Sequence, residues 1–115
     1  MKKYIILGAM LISGMLFANE GKPKLEIATN NTVVATYYYD NGQIQQKGAF
    51  KEGKLHGEWV SYDVNGKKVA IAEYNNGQKV GKWFLWSEEA LNEVDFLDNK
   101  IVAVKNWKTE NLLNN

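Results

Sequence analysis

A ten-residue motif that decides the fold occurs twice, 24 residues apart: Phe50-Lys51-Glu52-Gly53-Lys54-Leu55-His56-Gly57-Glu58-Trp59 and Tyr74-Asn75-Asn76-Gly77-Gln78-Lys79-Val80-Gly81-Lys82-Trp83. An aromatic residue opens each copy, glycines stand at its fourth and eighth positions, and a tryptophan closes it. Self-similarity at a fixed spacing is the signature of a repeat protein. The sequence therefore predicts a fold built from repeated units.

The turns around these copies follow the same spacing. Gly42 and Gly66 are also 24 residues apart, and each ends a turn that begins with a tyrosine and an aspartate, the second turn being one residue longer. A degenerate third copy follows, with Asn99 in the glycine position of Phe96-Leu97-Asp98-Asn99-Lys100-Ile101. Asparagine adopts a positive φ more readily than most residues, so we expect Asn99 to form the same kind of turn.

Short runs between the turns are rich in β-branched and aromatic residues, which favour strands. Asn-Gly, Glu-Gly and Asp-Asn pairs separate them, and such pairs reverse a chain between antiparallel strands. Leu25 and Ile27 alternate with polar neighbours, as in an added edge strand. Residues 87–93 interrupt the pattern, and we expect a helical turn capped by Ser87 or a longer loop there. The predicted strands cover residues 33–39, 44–50, 58–62, 68–74, 82–86 and 101–107.

These features define the fold class as all-β, an elongated antiparallel β-meander of hairpin repeats. Strands this short, joined by turns this short, pair with their neighbours in sequence.

The N-terminus has the three-part pattern of a secretory signal peptide. Lys2 and Lys3 precede an uncharged apolar run at residues 4–17, and polar residues begin after Ala18. This run is shorter than the roughly 20 residues of a membrane-spanning helix, which favours cleavage after Ala18 over a retained anchor. We expect export to the periplasm, the cell surface or the medium. The predicted organisation is a signal peptide at 1–18, an extended leader at 19–32, the repeat domain at 33–108 and a tail at 109–115.

Composition narrows the possible functions. The chain of 115 residues has no cysteine and one histidine, which excludes disulfides, thiolate zinc sites and a cysteine nucleophile. All 14 basic residues are lysine, and the formal net charge is +1. Because arginine is the usual residue for gripping phosphate and reading guanine, we expect no nucleic-acid partner. A glycine-rich phosphate loop is also absent from the sequence, and we expect no cofactor and no metal.

His56 is the first residue that a search for catalysis would consider. Its repeat equivalent is Val80, so the position accepts an aliphatic side chain and a structural role is favoured. A catalytic triad would need Ser61 or Ser87 beside His56, and Ser61 has Leu85 as its repeat equivalent. We therefore predict that the protein is not an enzyme and has no catalytic residue.

The repeated pattern resembles the second variant of the membrane occupation and recognition nexus (MORN) repeat, and in particular the YwqK-type antitoxin family of small bacterial proteins. Turns with an aromatic residue, an aspartate and a glycine carry the resemblance, together with the Gly-x-Trp segments that end at Trp59 and Trp83. It covers about residues 37–107. The resemblance implies a meander of MORN-type hairpins that has a role in binding or scaffolding. It supplies no known set of catalytic residues that could be assigned to positions of this chain.

Aromatic residues are the strongest functional signal. Runs such as 37–39 and 83–86 place rings on both faces of a strand, because successive side chains point in opposite directions. In a single-layer sheet these rings either replace a conventional core or stay partly exposed and form a binding face. The candidate binding residues are Tyr37, Tyr39, Trp59, Tyr62, Trp83 and Trp86.

The sequence thus favours an exported, non-catalytic module for protein interaction or scaffolding in the cell envelope, with another protein as its partner. One alternative is binding of an envelope lipid or glycan through the aromatic face. Another is an antitoxin or immunity protein that neutralises a partner outside the cytoplasm, where a signal peptide would direct it.

Overall fold

A computed structural model describes residues 22–108. The predicted signal peptide at 1–18 and the predicted tail at 109–115 lie outside the described residues, as does the start of the predicted leader. Between residues 22 and 108 the chain forms strands and turns without a helix. That part of the chain accordingly contains no helix with the length and apolar character needed to span a bilayer.

One antiparallel sheet holds every strand of this region. The strands are β1 (Lys24–Ile27), β2 (Thr32–Tyr38), β3 (Ile44–Lys51), β4 (Lys54–Tyr62), β5 (Lys68–Asn75), β6 (Gln78–Lys79), β7 (Gly81–Trp86), β8 (Ala90–Leu97) and β9 (Lys100–Lys108). Their order across the sheet follows the sequence from β1 to β9, except that the short β6 pairs with β5 beside the main path. The predicted all-β antiparallel meander is therefore confirmed.

The prediction for residues 87–93 was wrong. Ser87 closes a tight turn in which its backbone N–H donates to the carbonyl oxygen of Ala90, 2.8 Å away, and β8 begins at Ala90. The segment that follows forms a strand because the burial of its side chains alternates strictly. Asn92 and Val94 are buried, and Glu93 between them is half-buried. A period of two places one row of side chains on each face of a sheet, whereas a helix would scatter them.

Hairpin turns of one kind recur at one end of the sheet. Glu52 and Gly53 have φ of 51° and 80°, Asn76 and Gly77 have 50° and 87°, and Asp98 and Asn99 have 49° and 71°. Each pair is the two-residue loop between strands that pair directly on either side of it. Two consecutive positive φ angles are the requirement of the type I′ hairpin, so the predicted role of Asn99 is confirmed.

The turns at the opposite end of the sheet also repeat, but their lengths differ from those that the sequence indicated. Tyr39 N–H donates to Gln43 O and Asp63 N–H donates to Lys67 O, both at 2.8 Å. The two turns thus have equal length, and Asp63, not Tyr62, is equivalent to Tyr39. Asp63 stabilises the second turn from its first position, because its Oδ1 accepts the N–H of Lys67 at 2.9 Å.

Backbone hydrogen bonds join each type I′ hairpin to the preceding hairpin. Glu52 N–H donates to Asn31 O at 3.3 Å, and Gly77 N–H donates to Leu55 O at 2.7 Å. Asn99 N–H donates to Lys79 O at 2.9 Å, and its Oδ1 accepts the Lys79 N–H at 2.7 Å. These contacts form what we call the turn ladder, and they hold each turn in a fixed position relative to its neighbour.

The core lies on one face of the sheet, which we call the packed face. Trp59 and Trp83 form its centre and are 2% and 0% exposed. The indole N–H of Trp59 donates to Ala49 O at 3.0 Å, and that of Trp83 donates to Glu73 O at 3.1 Å. Both acceptors precede their tryptophan by the same spacing, so the two repeats share this hydrogen bond.

Neighbouring rings complete this face. Phe50 and Tyr74 approach Trp59 and Trp83 edge-on, each at a centroid distance of 5.2 Å, and Phe96 lies 4.8 Å from Trp83 on its other side. Burial raises the pKa of the Tyr74 hydroxyl. The hydrophobic core on this face also contains small and aliphatic side chains, namely Ala35, Ala70, Ala72, Leu85 and Val94.

Gly48 is required beneath the Trp59 ring. A Cβ at this position would lie 2.0 Å from Cδ2 of Trp59, far inside van der Waals contact. We expect Gly48→Ala to lower the free energy of unfolding by about 1–3 kcal/mol, the usual cost of overpacking, measured by chemical denaturation. In a Trp59→Leu background the same substitution should cost much less. An equal cost in both backgrounds would contradict the contact.

The Asn99 turn provides a second test. Asn99→Gly should keep the positive φ and lose the side-chain bond to Lys79, whereas Asn99→Ala loses the bond and strains the backbone. We expect stability to fall in the order Asn, Gly, Ala, with Ala below Gly by about 1–2 kcal/mol, measured by thermal and chemical denaturation. Equal stability of the Gly and Ala variants would show that the turn does not hold Asn99 in the left-handed region.

Candidate functional site

The structure divides the six candidate binding residues between several places. Trp59 and Trp83 lie in the core, where the surrounding side chains leave their rings almost no accessible surface. Tyr37 is half-buried on the same packed face, with its ring centroid 6.5 Å from that of Trp59. Burial raises the pKa of the Tyr37 hydroxyl. These three residues build the fold and present little surface to a partner.

Tyr39 connects two turns. Its hydroxyl donates to the carbonyl oxygen of Tyr62 at 2.7 Å. The pKa of this hydroxyl is raised, chiefly by burial and also by the negative charge of Asp63. Asn41 makes a parallel contact, because its Nδ2 donates to Val64 O at 2.9 Å. Tyr39 therefore ties the first long turn to the second.

Tyr62 and Trp86 lie on the second face of the sheet, which we call the open face. This face carries a row of side chains in direct cross-strand register: Thr36, Lys47, Val60, Ile71, Phe84, Glu93 and Lys105. Its central members, Val60, Ile71 and Phe84, are half-buried. No described element packs over them, since the described strands all belong to this one sheet.

A second row crosses the open face beside the first. Trp86 pairs with Leu91, and Leu91 pairs with Trp107. Phe84 and Trp86 stack on each other, with centroids 6.0 Å apart and ring planes 24° apart. The indole N–H of Trp107 donates to Glu93 Oε1 at 2.8 Å. These rows form a continuous patch of rings and aliphatic side chains, all half-buried.

Charged side chains border this patch. Lys82 Nζ lies 3.0 Å from Asp95 Oδ1 and 3.5 Å from Glu93 Oε2. The pKa of Lys82 is raised, first by its hydrogen bond to Asp95 and then by the charges of both carboxylates. Glu58 stands directly opposite Glu73 on the neighbouring strands, an arrangement of like charges that destabilises a sheet slightly. The border thus carries one lysine, paired with two carboxylates, and two further glutamates that face each other.

A groove of about 350 Å³ opens on the same face near β2, β3 and β4. Its floor and walls include Val34, Ala49, Val60 and Tyr62. Its polar side chains are those of Lys47, His56 and Glu58. Mostly apolar concavities with a few polar groups are the usual form of a binding site in a protein, and here the groove continues into the first row of the open face.

His56 has a structural contact at the edge of this groove. Its Nδ1 accepts the backbone N–H of Asn76 at 3.2 Å, which ties β4 to the next hairpin turn. Ser61 lies on the packed face, opposite Gln46 and Ala70, whereas His56 lines the groove on the open face. The Ser87 hydroxyl bonds the backbone of Ala90. The arrangement thus keeps both serines away from His56.

Among residues 22–108, histidine and the acidic side chains form no group of three that could hold a metal ion. No known protein-family model matches the chain, and no curated protein matches it. The description of the site therefore depends on the residues of this chain alone.

Sequence reasoning missed most of the open face, namely Val60, Ile71, Phe84, Leu91 and Trp107. One signal was available: in the run 83–86 the alternation puts Phe84 and Trp86 on one side and Trp83 and Leu85 on the other. The buried tryptophan of each repeat then identifies the opposite side as the accessible one.

Tryptophan fluorescence tests this division. Trp86 and Trp107 are half-buried, and Trp59 and Trp83 are buried. We expect a Trp86→Phe/Trp107→Phe double variant to be quenched by acrylamide much less than the unmodified protein, because only core indoles remain. The control is the same double variant in denaturant, where quenching should become efficient. Native quenching as strong as that of the unmodified protein would contradict the assignment of faces.

Proposed function

We propose that this protein is an exported, non-catalytic repeat module of the MORN type that binds another protein through its open face. The observation that carries the proposal is the patch formed by Val60, Ile71, Phe84, Trp86, Leu91 and Trp107, which lie in register on a sheet face over which nothing between residues 22 and 108 packs. Aromatic side chains in such positions contribute most to protein interfaces.

The chemistry of the patch favours a protein partner over a glycan. Sugars stack on the free faces of aromatic rings. Here Phe84 and Trp86 stack on each other, and the ammonium group of Lys105 lies 4.1 Å from the centroid of Trp107. An apolar centre with a polar rim is instead the anatomy of a protein interface.

The charges at the border argue against a membrane surface as the partner. Anionic lipids attract clusters of basic side chains. Along this border Lys82 is already paired with Asp95 and Glu93, and Glu58 and Glu73 add negative charge. A protein with charges of both signs fits this border better than an anionic bilayer.

Two features of the repeat support the MORN-type assignment. The 24-residue spacing of the Gly-x-Trp segments has a physical counterpart, because Gly57 and Gly81 have positive φ of 75° and 69° and the tryptophan that follows each is buried on the packed face.

Export is inferred from the charged, apolar and polar segments at residues 1–23.

Site-specific photo-crosslinking in producing cells tests the proposed function. A photoreactive phenylalanine analogue at Trp86 should form an adduct with a specific protein. The same residue placed at Val64, which is exposed in a turn, provides the matched control. Binding of the purified partner should weaken at least about tenfold in Trp86→Ala, as for an interface aromatic, and should not change in Val64→Ala.

Three results would contradict the proposal: adducts from position 86 that contain only lipid or glycan, equal capture of one protein from positions 86 and 64, or no protein adduct from position 86. The folded state of each variant is checked by its far-ultraviolet circular dichroism before binding is measured.

A further inference from the structure

The sheet ends in two strands that pair on one side only. Within the described residues β1 pairs with β2 alone, and β9 pairs with β8 alone. The outer edge of each strand offers backbone N–H and C=O groups to an added strand, and proteins usually protect such edges. The two edge strands carry different charges, and each has exposed apolar side chains on the packed face.

β9 is a long, basic edge. It has nine residues, and Ile101, Val102 and Val104 on it are 47%, 61% and 43% exposed. Its charged residues are Lys100, Lys105 and Lys108, without a carboxylate. Val104 pairs with Val94 and so belongs to the packed face, whereas Lys105 pairs with Glu93 and belongs to the open face. On the packed face the edge thus presents Ile101 and Val104, with Lys108 beyond them opposite Ala90, and on the open face it presents Lys105.

β1 has the complementary pattern. Leu25 and Ile27 pair with Ala35 and Val33 and therefore belong to the packed face, where they are 61% and 90% exposed. Glu26 lies between them on the open face, opposite Val34. The short edge thus offers an apolar row on the packed face and both Lys24 and Glu26 on the open face.

The number of strands makes the two edges compatible. Eight strands follow one another along the main path, and each is antiparallel to the next. Because this number is even, β1 of a second copy placed beyond β9 in the same orientation runs antiparallel to β9. The packed faces of the two copies then lie on the same side, and the meander continues across the junction.

Charge selects the register of this junction. With Glu26 opposite Lys105, Ile27 stands opposite Val104 in an antiparallel pair. A shift of two residues would place Lys24 opposite Lys105, and like charges directly opposite each other destabilise a sheet. Pairing of β9 with a second β9 would bring the lysines of both strands together without a carboxylate.

We propose that β1 of one copy adds to β9 of another, with Glu26 facing Lys105 and Ile27 covering Val104. The contact is heterologous, so it extends into head-to-tail chains without closing into a dimer. Since β1 has only four residues, the interface is small and the association depends on protein concentration. In this register Lys24 stands opposite Trp107, so the junction adjoins the proposed binding patch at its edge while covering neither face of the sheet. The inference is argued from the sheet edges and does not rest on the proposed function.

Sedimentation velocity of the purified full chain over a range of concentrations tests the junction. The weight-average sedimentation coefficient should rise with concentration. Lys105→Glu and Glu26→Lys should each abolish this rise, because each places like charges across the junction. The double variant should restore it, and so should an equimolar mixture of the two single variants, in which each β9 finds a β1 of opposite charge.

Lys67→Glu is the matched control, since it makes the same change of charge at an exposed turn residue. It should associate like the unmodified protein. Unchanged association in Lys105→Glu, or loss of association in Lys67→Glu to the same degree, would overturn the proposal. So would a double variant that stays monomeric while retaining the circular dichroism of the folded sheet, or an unmodified protein that is monomeric at every concentration.

Discussion

The hydrogen bond from each buried indole to a carbonyl of the preceding strand is the contact on which this fold depends. Within residues 22–108 no second layer covers the apolar face of the sheet, so the rings themselves cover neighbouring strands, as Trp59 does over Gly48. Trp59 and Trp83 do so only because each indole N–H finds an acceptor, Ala49 O and Glu73 O, and a buried N–H without one would be costly. The positive-φ glycine two residues before each ring distorts the strand locally, as bulges do, and directs the ring over the sheet.

Local chemistry made the hairpins predictable. Glu-Gly, Asn-Gly and Asp-Asn pairs have few alternatives to a turn with two positive φ angles, and all three form it. β8 was missed because Ser-Glu-Glu-Ala-Leu-Asn-Glu contains good helix formers, whose weak intrinsic preference is overridden by pairing with strands on both sides. The equal length of the two long turns was also hidden, because Tyr62 before Asp63 imitates Tyr39 before Asp40 in the sequence.

The candidate site was less predictable than the fold. Alternation within one strand shows that rings lie on both faces, but the open-face rows join side chains from seven different strands. Which of them become neighbours depends on register, and bulges shift the register in four of the strand pairs. Trp59 and Trp83 therefore looked as suitable for binding as Trp86, although the structure buries the first two and leaves the third accessible.

The turn ladder has a consequence for how the molecule forms. Each hairpin pairs with strands that precede or follow it closely in sequence, so only short loops must close as the sheet grows. Chains with such local contacts fold quickly for their size, because little chain entropy is lost before contacts are gained. Each completed turn supplies the acceptor for the next, at Asn31, Leu55 and Lys79 in order. A completed hairpin therefore presents a preformed acceptor to the hairpin beside it, and the sheet can grow one hairpin at a time.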